Sequence, residues 1–373
     1  MSRAVIRAVL VTLWPSLSSA AADSPLGVLP SSFIGTLPAA SGPDIEWQLD
    51  LLADGSFQLR RSYLDRAPDA KIDTIGRWVV GSDDASLVLG GEDETIAFAI
   101  ESSEQLQLLD QQARPIESAL DYSIERAAVP LLEPELRLRG LYGYMADAAL
   151  FAECRTGRLL PVAFTEDNLA LERAYLALQE STGLVPGGEV LAEVEARIAQ
   201  LPAMEGDGLT AQLEPVRFIA LHPDERCPEP FTQATLDGSD WLLQALDGTP
   251  ITLAADQRRP YLSFLEDASR LAGLGGCNRL AGGIEVDGTA MRFGPTASTM
   301  MACPAGMELE SALSAALEAT ESYRILGRHL DLYGGEGIPL RLGLLHLGRH
   351  LLVLAPEEVQ LLLEGHRLPL QHR

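Results

Sequence analysis

Between Ile45 and Tyr63 the chain alternates apolar and polar side chains with a period of two. Ile45, Trp47, Leu49 and Leu51 alternate with Glu46, Gln48 and Asp50, and Phe57, Leu59, Arg61 and Tyr63 form the next alternating run. Successive side chains of a strand point to opposite faces, so each run predicts a strand with one buried face. Asp54-Gly55 lies between them and predicts a hairpin turn. Shorter strands are predicted around 77–80, 85–89, 95–100 and 105–109. Many short strands with Gly and Asp turns, from Phe33 to about Arg126, predict a small barrel or sandwich.

Pro130 to Pro134 reads as a linker, and the pattern resumes beyond it. Val190, Ala192, Val194, Ala196 and Ile198 share one face of an alternating strand, with Glu193, Glu195 and Arg197 on the other. The same residues are also compatible with a helix. Leu209, Ala211 and Leu213 alternate again. Leu171, Ala174, Tyr175 and Leu178 form a helical stripe, with Asn168 as the expected N-cap and Gln179 as the expected end. After Cys303 the apolar residues Met307, Leu309, Ala312, Leu313, Ala316 and Leu317 recur at helical spacing. The fold class expected from these patterns is mainly β.

The first residues obey a different logic. Arg3 and Arg7 precede a short apolar run, Ala8 to Leu17, and Ser18 to Ala22 are small. That layout predicts a signal peptide cleaved after Ala20 or Ala22, hence export to the periplasm or beyond. No cysteine follows the run, so no lipid anchor is expected. No later stretch is long and apolar enough to predict a membrane span.

Length and charge narrow the partners. The 373 residues suggest two or three domains. Fifty-three acidic side chains against 28 basic ones give a net charge of −25. Such a field repels phosphate backbones, so no nucleic-acid partner is expected. The four cysteines are Cys154, Cys227, Cys277 and Cys303. None forms a C-x-x-C pair, and in an exported chain an even count reads as disulfides.

Phe33-Ile-Gly-Thr-Leu-Pro38, Asp54-Gly55, Gly76-Arg-Trp78 and Leu108-Leu-Asp110 through Ile116-Glu-Ser118 to Tyr122 resemble, in order, the N-terminal domain of the NlpE family. These are lipoproteins of envelope stress and copper homeostasis, and the resemblance implies a lipocalin-like β-barrel. The family places C-x-x-C just after the Leu-Pro, where this chain reads Ala39-Ala-Ser-Gly42. Thiolate is the ligand soft Cu(I) prefers, so the family's copper site does not carry over. Tyr144 to Gly157, with Met204-Glu-Gly206 and Cys227, resembles the module that follows in such proteins, which implies an OB-like barrel.

Gly276-Cys277-Asn278, Gly282 and Thr299-Met300-Met301-Ala302-Cys303 resemble the motif of the META domain, known from HslJ-type heat-shock lipoproteins. That resemblance implies a cracked β-barrel packed on one helix. The expected organisation is a signal peptide over 1–22, an NlpE-like barrel over 28–128, an OB-like module over 135–230, a META-like domain over 236–347 and a tail over 348–373. Each of the last two barrels then holds two cysteines, so the expected bridges are Cys154–Cys227 and Cys277–Cys303.

Gly276, Cys277, Asn278, Gly282, Thr299, Met300 and Cys303 are candidates for a structural or binding role. Met300, Met301 and Met307 are soft donors near the cysteines, but methionines that start a helix usually fill core gaps, and no metal or other cofactor is expected. His346, His350, His366 and His372 crowd the segment from Leu345 to Arg373; His346 and His350 would share a helix face, without a carboxylate or cysteine at a fitting offset. No Gly-x-Ser-x-Gly elbow or His-Glu-x-x-His helix occurs, and no catalytic residue is expected. The expected function is non-catalytic: an exported envelope protein of stress response or homeostasis that binds an envelope protein or a small partner. The alternatives are a periplasmic carrier of an apolar ligand and an inhibitor of a secreted hydrolase.

Overall fold

The Asp54-Gly55 turn joins β2 (Ile45–Leu51) to β3 (Ser56–Tyr63) as an antiparallel hairpin, with Leu51 opposite Phe57. Gly55 takes φ +80°, and the Asp54 carboxylate accepts the Ser56 backbone N–H at 2.9 Å. In the computed structural model, residues 24–344 are described, except 40–41, 64–69, 92–94, 147, 204–205, 255–256, 266–267, 304 and 336–339. The expected signal peptide, the tail and His346, His350, His366 and His372 lie outside the described residues, as do Ala40 and Ser41.

The fold is mainly β, with 51% strand and two α-helices among the described residues. The hairpin is part of an eight-stranded closed barrel. Its other strands are β1 (Ser31–Leu37), β4 (Lys71–Val80), β5 (Ser86–Gly90), β6 (Thr95–Ser102), β7 (Gln105–Leu108) and β8 (Ser123–Ala127). Each strand pairs with the next, and β8 returns to β1 with Phe33 opposite Arg126. Phe33, Leu49, Phe57, Leu89, Phe98 and Ile124 fill the interior. The sequence predicts β4 only from Arg77, yet it begins at Lys71. Its first half is polar because Asp73 faces outward and pairs with Arg60 of β3 at 2.6 Å.

The second module is a five-stranded sheet of β9 (Glu135–Met145), β10 (Ala148–Glu153), β11 (Leu159–Pro161), β12 (Val190–Pro202) and β13 (Leu209–His222), in the order β11-β10-β9-β12-β13. A parallel bridge between Val162 and Leu213 draws the ends together. Val190, Ala192, Val194, Ala196 and Ile198 face the core, so this segment is a strand and not a helix. Helix α1 (Asn168–Thr182) buries Leu171 and Tyr175. Asn168 is its first residue and is buried, not its cap; Asp167 holds the cap position.

The third module contains β14 (Asp240–Leu246), β15 (Thr249–Pro250), β16 (Tyr261–Phe264), β17 (Arg270–Leu274), β18 (Arg279–Asp287), β19 (Ala290–Phe293) and β20 (Ala297–Ser298). Helix α2 (Met307–Glu318) and strands β21 (Ser322–Leu326), β22 (His329–Tyr333) and β23 (Leu340–Leu344) complete it. Strand β14 pairs with both β16 and β23, which closes the sheet. β19 and β21 meet only at Ala290 and Ser322, which leaves a crack there. Trp241, Leu262, Phe264, Met291 and Leu313 form the core.

The barrel lies between the other two modules and contacts both. Ile75, on the outer face of β4, belongs to the core of the second module and is 1% exposed. The Pro130–Pro134 stretch is not a free linker: the Leu132 N–H donates to buried Asp50 at 2.6 Å, and the Gln200 N–H to Glu133 at 2.9 Å. On another face, Val88, Ala97, Leu109 and Ala113 pack against Leu326 of the third module. Membrane-length apolar helices are absent among the described residues.

Candidate functional site

The motif of the third module converges on one carboxylate. The loop after β17 turns through Gly275 and Gly276, and brings Cys277 and Asn278 beneath the first turn of α2. There Glu310, 8% exposed, accepts the backbone N–H groups of Cys277 and Asn278 on Oε2 and the Asn278 amide on Oε1. An acidic side chain in the first helical turn is favoured by the helix dipole, and here it also satisfies buried donors. Gly275 is required by this approach, since a Cβ there would lie 2.5 Å from Glu310 Cγ.

Asn278 spends every polar valence inside the protein. Its Oδ1 accepts the Thr299 hydroxyl at 2.9 Å and the Met301 N–H at 2.7 Å. Its Nδ2 donates to the Met301 carbonyl at 3.2 Å and to Glu310 at 2.9 Å. Cys277 and Cys303 are disulfide-bonded, with Cα atoms 5.9 Å apart. The structure therefore brings Gly276, Cys277, Asn278, Thr299 and Cys303 together, and Gly282 stands apart in β18 opposite Leu271. The assembly fastens the 299–303 segment to the loop and the helix. It leaves Asn278 no donor or acceptor for a ligand.

Met300, Met301 and Met307 do not fill the core. They are 99%, 49% and 44% exposed. Met300 and Met301 precede α2, and Met307 opens it ahead of buried Glu310, Leu313 and Leu317. Glu310 escapes a reading based on apolar periodicity. The adjoining Gly275-Gly276, with no side chains to occupy the space, is the one signal of it in the sequence.

A second constellation lies at the barrel's seam with the third module. Asp331 of β22 has no exposed surface and receives Arg341 at 2.6 and 2.7 Å and Arg324 at 3.4 Å. Both arginines then reach the barrel. Arg324 donates to the Ala113 carbonyl at 3.1 Å and faces Asp83 at 3.6 Å; Arg341 donates to the Gln112 carbonyl. Buried charges of this kind are tolerated only when paired and hydrogen-bonded. Ser82 adds two bonds to Ile325: its hydroxyl accepts the Ile325 N–H at 2.8 Å, and its own N–H donates to the Ile325 carbonyl at 3.1 Å.

In the second module Cys154 and Cys227 are disulfide-bonded, with Cα atoms 5.2 Å apart. Beside them Glu193 receives Arg137 and His222, and Glu225 receives Arg139 and His222. The Arg137 hydrogen bond holds the Glu193 carboxyl below its ordinary range. Clusters of His, Cys, Asp or Glu fit to hold a metal are absent among the described residues.

Three family models match this chain: the NlpE N-terminal domain over residues 33–119, the NlpE C-terminal OB domain over 133–228 and the META domain over 234–344. Lipoprotein NlpE of Escherichia coli (strain K12) is 36% identical over 160 residues, 43% of this chain. That alignment spans 66% of the relative's length, just under two thirds. Among solved structures, the Cpx pathway activator NlpE from Escherichia coli is 32% identical and is matched over its whole length by 54% of this chain, with a TM-score of 0.24. A putative lipoprotein from Shewanella oneidensis is 26% identical, covering 27% of this chain and 90% of its own, with a TM-score of 0.24. A Burkholderia xenovorans protein is 27% identical, covering 34% and 99%, with a TM-score of 0.26. At those TM-scores the relationship rests on sequence, and the relatives' being lipoproteins lends no support to an unanchored chain. Over residues 33–228 the chain is an NlpE-type protein, and over residues 234–344 it carries a META domain.

Proposed function

We propose that this protein is an exported, non-catalytic component of the cell envelope that reports or buffers envelope stress by binding a protein partner. The observation that carries this reading is the pairing of NlpE N-terminal and OB domain matches in one chain, in the order of an activator of the Cpx pathway. The partner class is an envelope sensor protein. The META domain, its disulfide and the Asn278–Glu310 lock supply a stable third body whose motif serves structure. The reading takes domain limits of 28–128, 135–230 and 236–347 and a signal peptide over 1–22 that is removed on export.

An apolar-ligand carrier is less well supported, because the barrel interior is occupied by Phe33, Phe57, Phe98 and their neighbours. The test is cross-linking of the full-length chain in intact cells, through photoreactive residues placed at exposed positions such as Phe164 and Leu209, followed by mass spectrometry. A sensor protein of the envelope captured at stoichiometric yield supports the reading. Capture of no envelope protein, or co-purification of a lipid-sized ligand, overturns it.

A further inference from the structure

Between the barrel and the META domain runs a cleft that Val88, Ala97 and Asp110 line from one side and Leu326, His329 and Arg341 from the other. His329 opens β22 and is flanked in the sheet by Leu326 and Gly343. Its Nδ1 is buried and has no hydrogen-bond partner among the described residues. Neighbouring charges are few and already committed. Arg341 is tied to Asp331 and to the Gln112 carbonyl, and Asp110 accepts Arg114 at 3.1 Å. Arg324 is engaged by Asp331 and Asp83, and Arg328 reaches the Pro230 carbonyl at 3.4 Å.

A neutral imidazole suits this position and an imidazolium does not. Protonation would place a second positive charge beside Arg341, with Asp331 as the one fully buried counter-charge. It would also give Nδ1 a proton with no acceptor to receive it. A buried charge without a partner is costly, and the cheapest relief is solvent. Water reaches His329 if the META domain swings away from the barrel, because the cleft is the seam between them.

We propose that the barrel–META seam is an acid-gated closure in which protonation of His329 opens the cleft and uncovers the apolar outer face of β5 and β6. Desolvation, and then Arg341, hold the ring below the ordinary histidine value of 6.5, while Asp331 opposes them. In the open form the ring regains its ordinary value. Closure is therefore fully favoured above about pH 6.5 and weakens as the pH falls from there towards the lowered value of the closed form. Each pH unit separating the two values enlarges the open fraction about tenfold at the acid end.

The experiment follows hydrogen exchange of the β5 and β6 amides in the full-length protein between pH 7.5 and pH 5, corrected for intrinsic exchange rates. Wild type should lose protection there on acidification, while His329→Gln stays flat. Equal responses in both proteins, or no response in wild type, would overturn the proposal. A second readout needs no variant: the His329 ring, followed by NMR, should titrate below the ordinary histidine value of 6.5. Titration at or above the ordinary value would also overturn it.

Discussion

The Phe231 ring sits directly over Gly90, close enough that a Cβ on that glycine would lie 2.1 Å from the ring. Phe231 belongs to the segment between the OB and META modules, and Gly90 ends β5 of the barrel. Gly327, in the META β21–β22 turn, meets the far end of the same ring, with Cζ 2.3 Å from an added Cβ. One aromatic side chain therefore bridges two modules, and both ends of its slot are backbone. Gly90→Ala should expel the ring and destabilise the barrel–META seam by about 1–3 kcal/mol, the usual cost of overpacking. Combining it with Phe231→Ala should recover part of that loss, and a denaturant-unfolding double-mutant cycle measures the coupling. Additive losses would show that the ring does not occupy the slot.

Arg341→Ala leaves Asp331 fully buried with only the longer Arg324 contact. Removing one partner of a buried pair costs roughly 3–5 kcal/mol, so the META domain should show a large drop in unfolding midpoint. Asp331→Asn in the Arg341→Ala background should restore part of it by removing the stranded charge. A surface-like loss below about 1 kcal/mol would contradict the burial assigned to Asp331.

Glu310→Ala strands the Cys277 and Asn278 N–H groups beneath α2. Each buried unsatisfied donor costs about 1–3 kcal/mol, and Asn278→Ala should cost a similar amount through Met301 and Thr299. Because the two residues share bonds, the double variant should lose less than the sum. Equilibrium unfolding of the three variants decides this, and strict additivity would argue against a shared network.

Much of the fold was legible in the sequence because it was written in apolar periodicity and turn residues. The Asp54-Gly55 hairpin and the inward face of Val190–Ile198 are of that kind. Residues whose partners lie in another module were not legible. Arg324, Asp331 and Arg341 occupy positions that ordinarily face water, and nothing local marks them as buried. Glu310 reads as a solvated first-turn acid, and the polar start of β4 reads as loop until Arg60 is seen beside Asp73. The META motif residues were identifiable as a group, but their employment in structure became visible only with Glu310 in place.

The two disulfides enclose separations of 73 and 26 residues. Chain entropy then assigns each roughly 3–5 kcal/mol, slightly more for Cys154–Cys227. Cys277→Ser should lower META stability and leave the OB module folded. Non-reducing peptide mapping should recover both intra-module bridges, and a peptide joining Cys154 or Cys227 to Cys277 or Cys303 would refute the pairing.

Acid should also loosen the OB module. Glu193 is held below the ordinary glutamate value by Arg137 first, against an opposing desolvation, and by His222. Its stabilisation is present above the ordinary value of 4.5 and is lost as the pH falls through the lower folded value. Glu193→Gln should therefore flatten the stability profile in that acid window and cost stability at neutral pH, as read by urea midpoints at successive pH values.

As proposed, this chain would act in the envelope by engaging a stress sensor without catalysis. The most direct test is an envelope-stress reporter in the native host, read after controlled overproduction of the full-length protein. The expected result is dose-dependent induction that disappears when the sensor is deleted. Unchanged reporter output at high envelope levels of the protein, or induction that persists without any sensor, would contradict it.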